Sequence, residues 1–70
     1  MSQIQSIVFL RKNGWNKKNA RSWLKSHKIK PLKRVHELKN ELRYRIREPN
    51  FKRYITKKSN DGILFVIGFR

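Results

Sequence analysis

The stretch Leu42-Arg43-Tyr44-Arg45-Ile46-Arg47 alternates strictly between apolar and cationic residues. A period of two sets Leu42, Tyr44 and Ile46 on one face of a strand and Arg43, Arg45 and Arg47 on the other. Same-face side chains on a strand recur about every 6.6–7 Å, close to the spacing of successive phosphates along a nucleic-acid strand. One face builds a core, and the other needs an anion. The rest of the chain reads as organised around this division.

Working outward, the 70 residues form one domain, residues 1–70, with a core worth only about a few kcal/mol net. The sequence has no Cys, which excludes a disulfide framework and a thiolate metal site and implies no secretory compartment. No apolar run approaches the roughly 18 residues of a membrane span, and Met1-Ser2-Gln3-Ile4-Gln5-Ser6 lacks the charged and apolar regions of a signal peptide. The expected setting is intracellular or inside a virion, without membrane contact.

Charge dominates the composition: 19 Lys+Arg stand against 4 Asp+Glu, for a formal net charge of +15. Self-repulsion of that size destabilises a small compact state, so it points to a polyanionic partner, nucleic acid before others. High charge with low hydrophobicity is also the signature of disorder. Two Trp, four Phe, two Tyr and several alternating apolar runs argue against that.

On the N-terminal side, Ile4 to Leu10 reads as a first strand, followed by a polar turn, Arg11-Lys12-Asn13-Gly14. Asn16 is placed to cap a helix whose apolar face is Ala20, Trp23, Leu24 and His27, ending near His27 or Lys28, a stop that Pro31 confirms. Trp15 and Ala20 have the spacing of a hydrophobic staple. Lys17 and Lys18 occupy the first turn, where the helix dipole favours acids. Either Lys17, Lys18 and Arg21 meet a phosphate there, or the turn is a solvated cationic one on a helix held by Trp23 and Leu24. The connection Lys28-Ile29-Lys30-Pro31-Leu32-Lys33-Arg34 completes a block free of acids from Arg11 to Arg34. Ile29 and Leu32 suggest that it lies against the domain.

Val35 to Leu38 and Glu41 to Arg47 read as a hairpin turning at Lys39-Asn40. Glu48-Pro49-Asn50 breaks the strand, and Phe51-Lys52-Arg53-Tyr54 is too short to assign, open to one helical turn or to a loop that packs Phe51 and Tyr54 inward. Ile55 to Lys58 is another strand, joined by Ser59-Asn60-Asp61-Gly62 to a last one, Ile63 to Phe69. That last strand is apolar on both faces and so is expected to be central. Its Leu64, Val66 and Gly68 face is either a surface for a second copy or a virion neighbour, or is covered by long side-chain stems.

Catalytic material is scarce. Glu37, Glu41, Glu48 and Asp61 are the only acids, and His27 and His36 lie far apart without a further soft ligand, so neither carboxylate catalysis nor a metal site is expected. A His36/Glu37/Arg43 nuclease constellation lacks a second carboxylate for a metal. No glycine-rich phosphate loop or other cofactor motif is present. Tyr44, between two arginines, either stacks on bases or shares the core face with Leu42 and Ile46; the alternation supports the core.

The segments Trp-Leu-Lys-Ser-His (23–27), Lys-Pro-Leu-Lys (30–33), Arg-Tyr-Arg (43–45), Pro-Asn-Phe-Lys-Arg-Tyr-Ile-Thr-Lys-Lys (49–58) and Asp-Gly-Ile-Leu-Phe-Val-Ile-Gly-Phe (61–69) together resemble one loose module. It is similar to short basic proteins and domain extensions of large double-stranded DNA viruses and tailed phages. The resemblance spans nearly the whole chain and implies a viral setting, with DNA handling or virion assembly ahead of metabolism. That module's helix often opens with acidic residues. Lys17-Lys18-Asn19 stand here instead, a departure that fits added anion affinity.

The expectation is an α+β domain, one helix on an antiparallel sheet of four to five strands in the order β-α-β-β-β-β. It binds nucleic acid without catalysis, double-stranded DNA before RNA. The candidate contacts are Lys17, Lys18, Arg21 and Lys25 on the helix, Lys30, Lys33 and Arg34 on the connection, and Arg43, Arg45 and Arg47 on the strand. If the helix covers Leu42, Tyr44 and Ile46, the arginines face away from it and the domain has two basic faces. The rival reading is a structural virion or assembly component whose basic surface meets an acidic protein or RNA.

Overall fold

The alternation that begins at Leu42 is realised as a strand flanked on both sides. A computed structural model describes residues 2–32 and 35–70. In chain order the elements are β1 (Ser2–Leu10), a single 3-10 turn (Arg11–Asn13), α1 (Lys17–Ser26), β2 (His36–Glu37), β3 (Glu41–Arg45), β4 (Arg53–Lys58) and β5 (Ile63–Phe69). One helix lies on a five-stranded antiparallel sheet of order β2-β3-β1-β5-β4, the expected α+β class.

The middle strand is β1, not β5. Ile7, Val8 and Phe9 are all buried, so β1 is enclosed on both faces as a strand with two neighbours and two covers must be. β5 is interior but lies one strand further out, between β1 and β4. The face under the helix carries Ile7 and Phe9 from β1, Leu42 and Tyr44 from β3 and Ile63 from β5, closed by Ala20 and Leu24 of α1. Phe9 is the hub, with Trp15, Trp23 and Tyr44 packed around it at ring-centroid distances of 4.9, 5.7 and 5.6 Å.

α1 begins where its cap chemistry begins. Asn16 accepts from the Asn19 N–H at 3.0 Å while the Asn19 side-chain oxygen accepts from the Asn16 N–H at 2.7 Å, a reciprocal capping box. It ends at Ser26 with His27 as its C-cap, where the sequence places the stop. Lys28 adopts φ 56°, the Ile29 N–H donates to the Leu24 carbonyl at 2.9 Å and the Lys28 N–H to the Lys25 carbonyl at 3.1 Å. That pair of bonds is the Schellman arrangement, with lysine where glycine is usual.

β3 stops at Arg45, two residues short of the expected Arg47, because β1 bulges. The pairing of β1 with β5 skips Gln5 between Ile4 and Ser6, and the Gln5 carbonyl takes both the Ile46 N–H (2.8 Å) and the Arg47 N–H (3.1 Å). The extra residue ends the ladder. Gln5 is buried and satisfied in turn: its amide donates to the Arg47 carbonyl at 2.9 Å, and Ser6 Oγ donates to its oxygen at 2.7 Å.

The last hairpin closes as its Asp61-Gly62 pair predicts, with Gly62 at φ 77° and the Ser59 N–H donating to Ile63. A Cβ on Gly62 would lie 2.3 Å from Asn13 Cγ. The loop grips the β1–α1 connection through that contact and through the Trp15 indole N–H, which donates to the Asp61 carbonyl at 2.7 Å.

Candidate nucleic-acid interface

Directly opposed residues of neighbouring strands share a face, so the register defines the sheet face away from the helix. One row runs His36, Arg43, Val8, Leu64 and Lys58; the next runs Arg45, Ser6, Val66 and Thr56. Arg43 is exposed and Arg45 half-buried on this face, opposite the buried Leu42 and Tyr44. Leu64 and Val66 are partly covered. Over Gly68 the cover is Phe51, whose ring would lie 2.3 Å from an added Cβ. Phe51 is accordingly buried, and Tyr54, expected to turn inward with it, remains 39% exposed on β4.

Arg47 lies two residues past the end of β3 and is exposed. Its guanidinium donates to the Ile4 carbonyl at 2.8 Å, which clasps the strand end at the bulge. The expectation that Arg43, Arg45 and Arg47 form one row is corrected by the register break at Gln5. Lys58 enters the row at its far side. Sequence reasoning missed it, although the Asp61-Gly62 turn set its pairing with Leu64.

The helix side gathers more charge. Lys17, Arg21 and Lys25 recur every four residues, so they follow one ridge at about 6 Å per step, with Lys18 beside them; all four are exposed. They form one wall of an open groove of about 1150 Å³ whose other wall is Lys30, Pro31, Val35 and Glu37 and whose lining includes Leu24, Ile29 and Tyr44. Lys33 and Arg34 lie outside the described residues. The connection docks through its backbone, the Leu32 N–H donating to the Arg45 carbonyl at 2.9 Å. Ile29 packs on the core, but the Leu32 side chain points outward at 51% exposure, against expectation.

Glu37 is the one acid lining this groove. Its carboxylate meets Lys17 Nζ at 3.4 Å and Arg11 at 3.5 Å. On the other face Glu41 lies 3.8 Å from Arg43. These pairs are solvent-exposed and individually weak, and most of the positive charge is left without a partner among the described residues.

Tyr44 is buried in the core and not available to stack on bases. Burial raises its pKa above the ordinary 10.0; the Arg21 guanidinium opposes that shift and the Glu37 carboxylate adds to it. The hydroxyl is therefore a proton donor at neutral pH. The His27 ring stacks on Trp23 at 4.0 Å, with Nδ1 2.9 Å from the Trp23 carbonyl, and His36 stands exposed on β2. Among the described residues no three of His, Cys, Asp and Glu lie together, and no helix is long and apolar enough to cross a membrane.

Fold and surface together define a small α+β domain with cations on both faces of its sheet. Comparison with protein-family models, curated proteins and solved structures finds no match to this chain.

Proposed function

We propose that this protein binds nucleic acid through backbone phosphates and without catalysis, favouring double-stranded DNA with little sequence preference, in genome compaction or assembly within a viral setting. The observation that carries the reading is the run of Lys17, Lys18, Arg21, Lys25 and Lys30 around one groove with a single acid among them. Cations arranged along a ridge suit a regularly spaced polyanion and hold no information about base identity. Arg43 and Arg45 on the reverse face suit a second duplex. The test is a mobility-shift comparison of duplex DNA, single strands and RNA at several salt concentrations. With about six phosphates neutralised, log affinity falls against log salt with a slope near −5. A slope near zero rejects the mechanism.

One observation favours a second reading, a structural virion or assembly component. β4 is an open edge strand on which Tyr54 and Ile55 are exposed, and an unpaired edge with apolar side chains is a template for a neighbour. Light scattering with and without DNA separates the two. A stable assembly that has no affinity for DNA supports the second.

A further inference from the structure

The groove beside α1 contains a polar atom with nothing to bond. Tyr44 is 3% exposed, and its hydroxyl has no hydrogen-bond partner among the described residues. Buried hydroxyls are nearly always paired, and an unpaired one is a cost that calls for an explanation. Two charged groups bear on it, Arg21 and Glu37, and neither bonds to it. Arg21 takes part in no ion pair among the described residues, while Glu37 is drawn to Lys17 and Arg11. A donor without an acceptor, an unpaired guanidinium and a carboxylate bridging two cations thus share one groove.

We infer that this groove is a phosphate site whose place is held in the free protein by the Glu37 carboxylate. An incoming phosphate displaces Glu37 from Lys17, pairs with Lys17 and Arg21, and accepts a hydrogen bond from the Tyr44 hydroxyl. The exchange is feasible because the Lys17–Glu37 pair is about half exposed, with side-chain exposures of 56% and 46%, and such pairs hold weakly. It is favourable because the phosphate recruits Arg21, whose planar fork suits phosphate oxygens, and because it gives the buried Tyr44 hydroxyl an acceptor. Glu37 acts as an internal competitor that limits anion binding. The identification of the phosphate as one of a nucleic-acid backbone rests on the function proposed above.

The test uses the full chain and three variants, Tyr44→Phe, Glu37→Gln and Arg21→Gln, with a short DNA duplex and inorganic pyrophosphate as separate probes, and records the thermal midpoint of each variant. Tyr44→Phe is expected to weaken binding about tenfold while the midpoint holds or rises, because an unpaired buried hydroxyl has been removed. Glu37→Gln is expected to tighten binding about threefold and steepen the salt slope by about one, the share of one more free cation. Arg21→Gln weakens binding, and its effect combines non-additively with that of Tyr44→Phe. A Tyr44→Phe protein with a lowered midpoint and unchanged affinity overturns the inference, as does Glu37→Gln binding no more tightly than wild type. If wild type binds the duplex and none of the variants alters its affinity, the groove site falls and the nucleic-acid reading stands. If pyrophosphate binds with the expected variant pattern and the duplex does not bind, the site stands and the nucleic-acid reading falls.

Discussion

The sharpest prediction of the proposed nucleic-acid function is that one molecule joins two duplexes. Arg43 and Arg45 point away from the sheet face covered by α1, and the molecule measures 33 × 21 × 20 Å. The two cation sets lie on opposite faces of the sheet, so a straight duplex seated on one is expected to leave the other free. Arg43→Gln with Arg45→Gln therefore leaves the affinity and salt slope for a first duplex nearly unchanged and abolishes the joining of a second. Lys18→Gln, Arg21→Gln and Lys25→Gln together remove three helix-side cations and flatten the first-duplex slope by about 2.7. The assay is energy transfer between donor-labelled and acceptor-labelled duplexes mixed with protein, alongside anisotropy of one labelled duplex. Exposed or half-buried polar positions tolerate these changes, and circular dichroism checks the fold. A sheet-face variant that still joins duplexes as wild type does, or that loses first-duplex binding in full, refutes the argument from opposed faces.

Lys28→Gly removes the strain of lysine in the left-handed region at the end of α1; it should stabilise the fold by about 1 kcal/mol and raise the melting midpoint by about 4–8 °C. Gly68→Ala sets a methyl group 2.3 Å from Phe51 Cγ; displacing the ring is expected to cost about 1–3 kcal/mol, read as a lower midpoint in denaturant. Tyr44 titrates higher folded than unfolded, so its contribution is complete below its ordinary 10.0 and is lost as pH rises through the folded value. Wild type should therefore lose more stability than Tyr44→Phe in alkaline urea titrations, and equal losses would count against the burial.

Much of this architecture was legible in local pattern. The alternation from Leu42, the cap at Asn16 and the Asp61-Gly62 turn are each decided within a few residues, and each produced the element expected. What escaped depends on partners distant in sequence. At the Gln5 bulge two consecutive amides, Ile46 and Arg47, converge on one carbonyl 41 and 42 residues away, and no local signal marks it. That bulge ends β3 early and removes Arg47 from the arginine row. The helix end near His27 or Lys28 is legible in the sequence, but the left-handed turn that closes it is not, because Lys28 adopts a conformation that its residue type disfavours. Of the candidate contacts, Lys17, Lys18, Arg21, Lys25 and Lys30 share one groove, and Arg43 and Arg45 share the opposite face. Lys58 could have been added by counting from the turn. That the Tyr44 hydroxyl has no partner among the described residues could not, since it depends on the neighbours that folding brings to it.

The same geometry explains how a chain with a net charge of +15 folds at all. Repulsion within one basic face acts between near neighbours, whereas exposed cations on opposite faces are further apart and their repulsion through the surrounding solvent is weakened more by physiological salt. The aromatic cluster around Phe9 then has to overcome only the repulsion within each face. Lowering the salt reconnects the faces and weakens the fold, while a bound polyanion neutralises one face and strengthens it, by mass action on the native state alone. The two effects oppose each other in a single titration. At low ionic strength the free protein is least stable and the proposed affinity for nucleic acid would be greatest, so the proposal predicts that the stabilisation conferred by DNA increases as salt falls. A domain whose charge served only solubility would gain little from the polyanion under the same conditions.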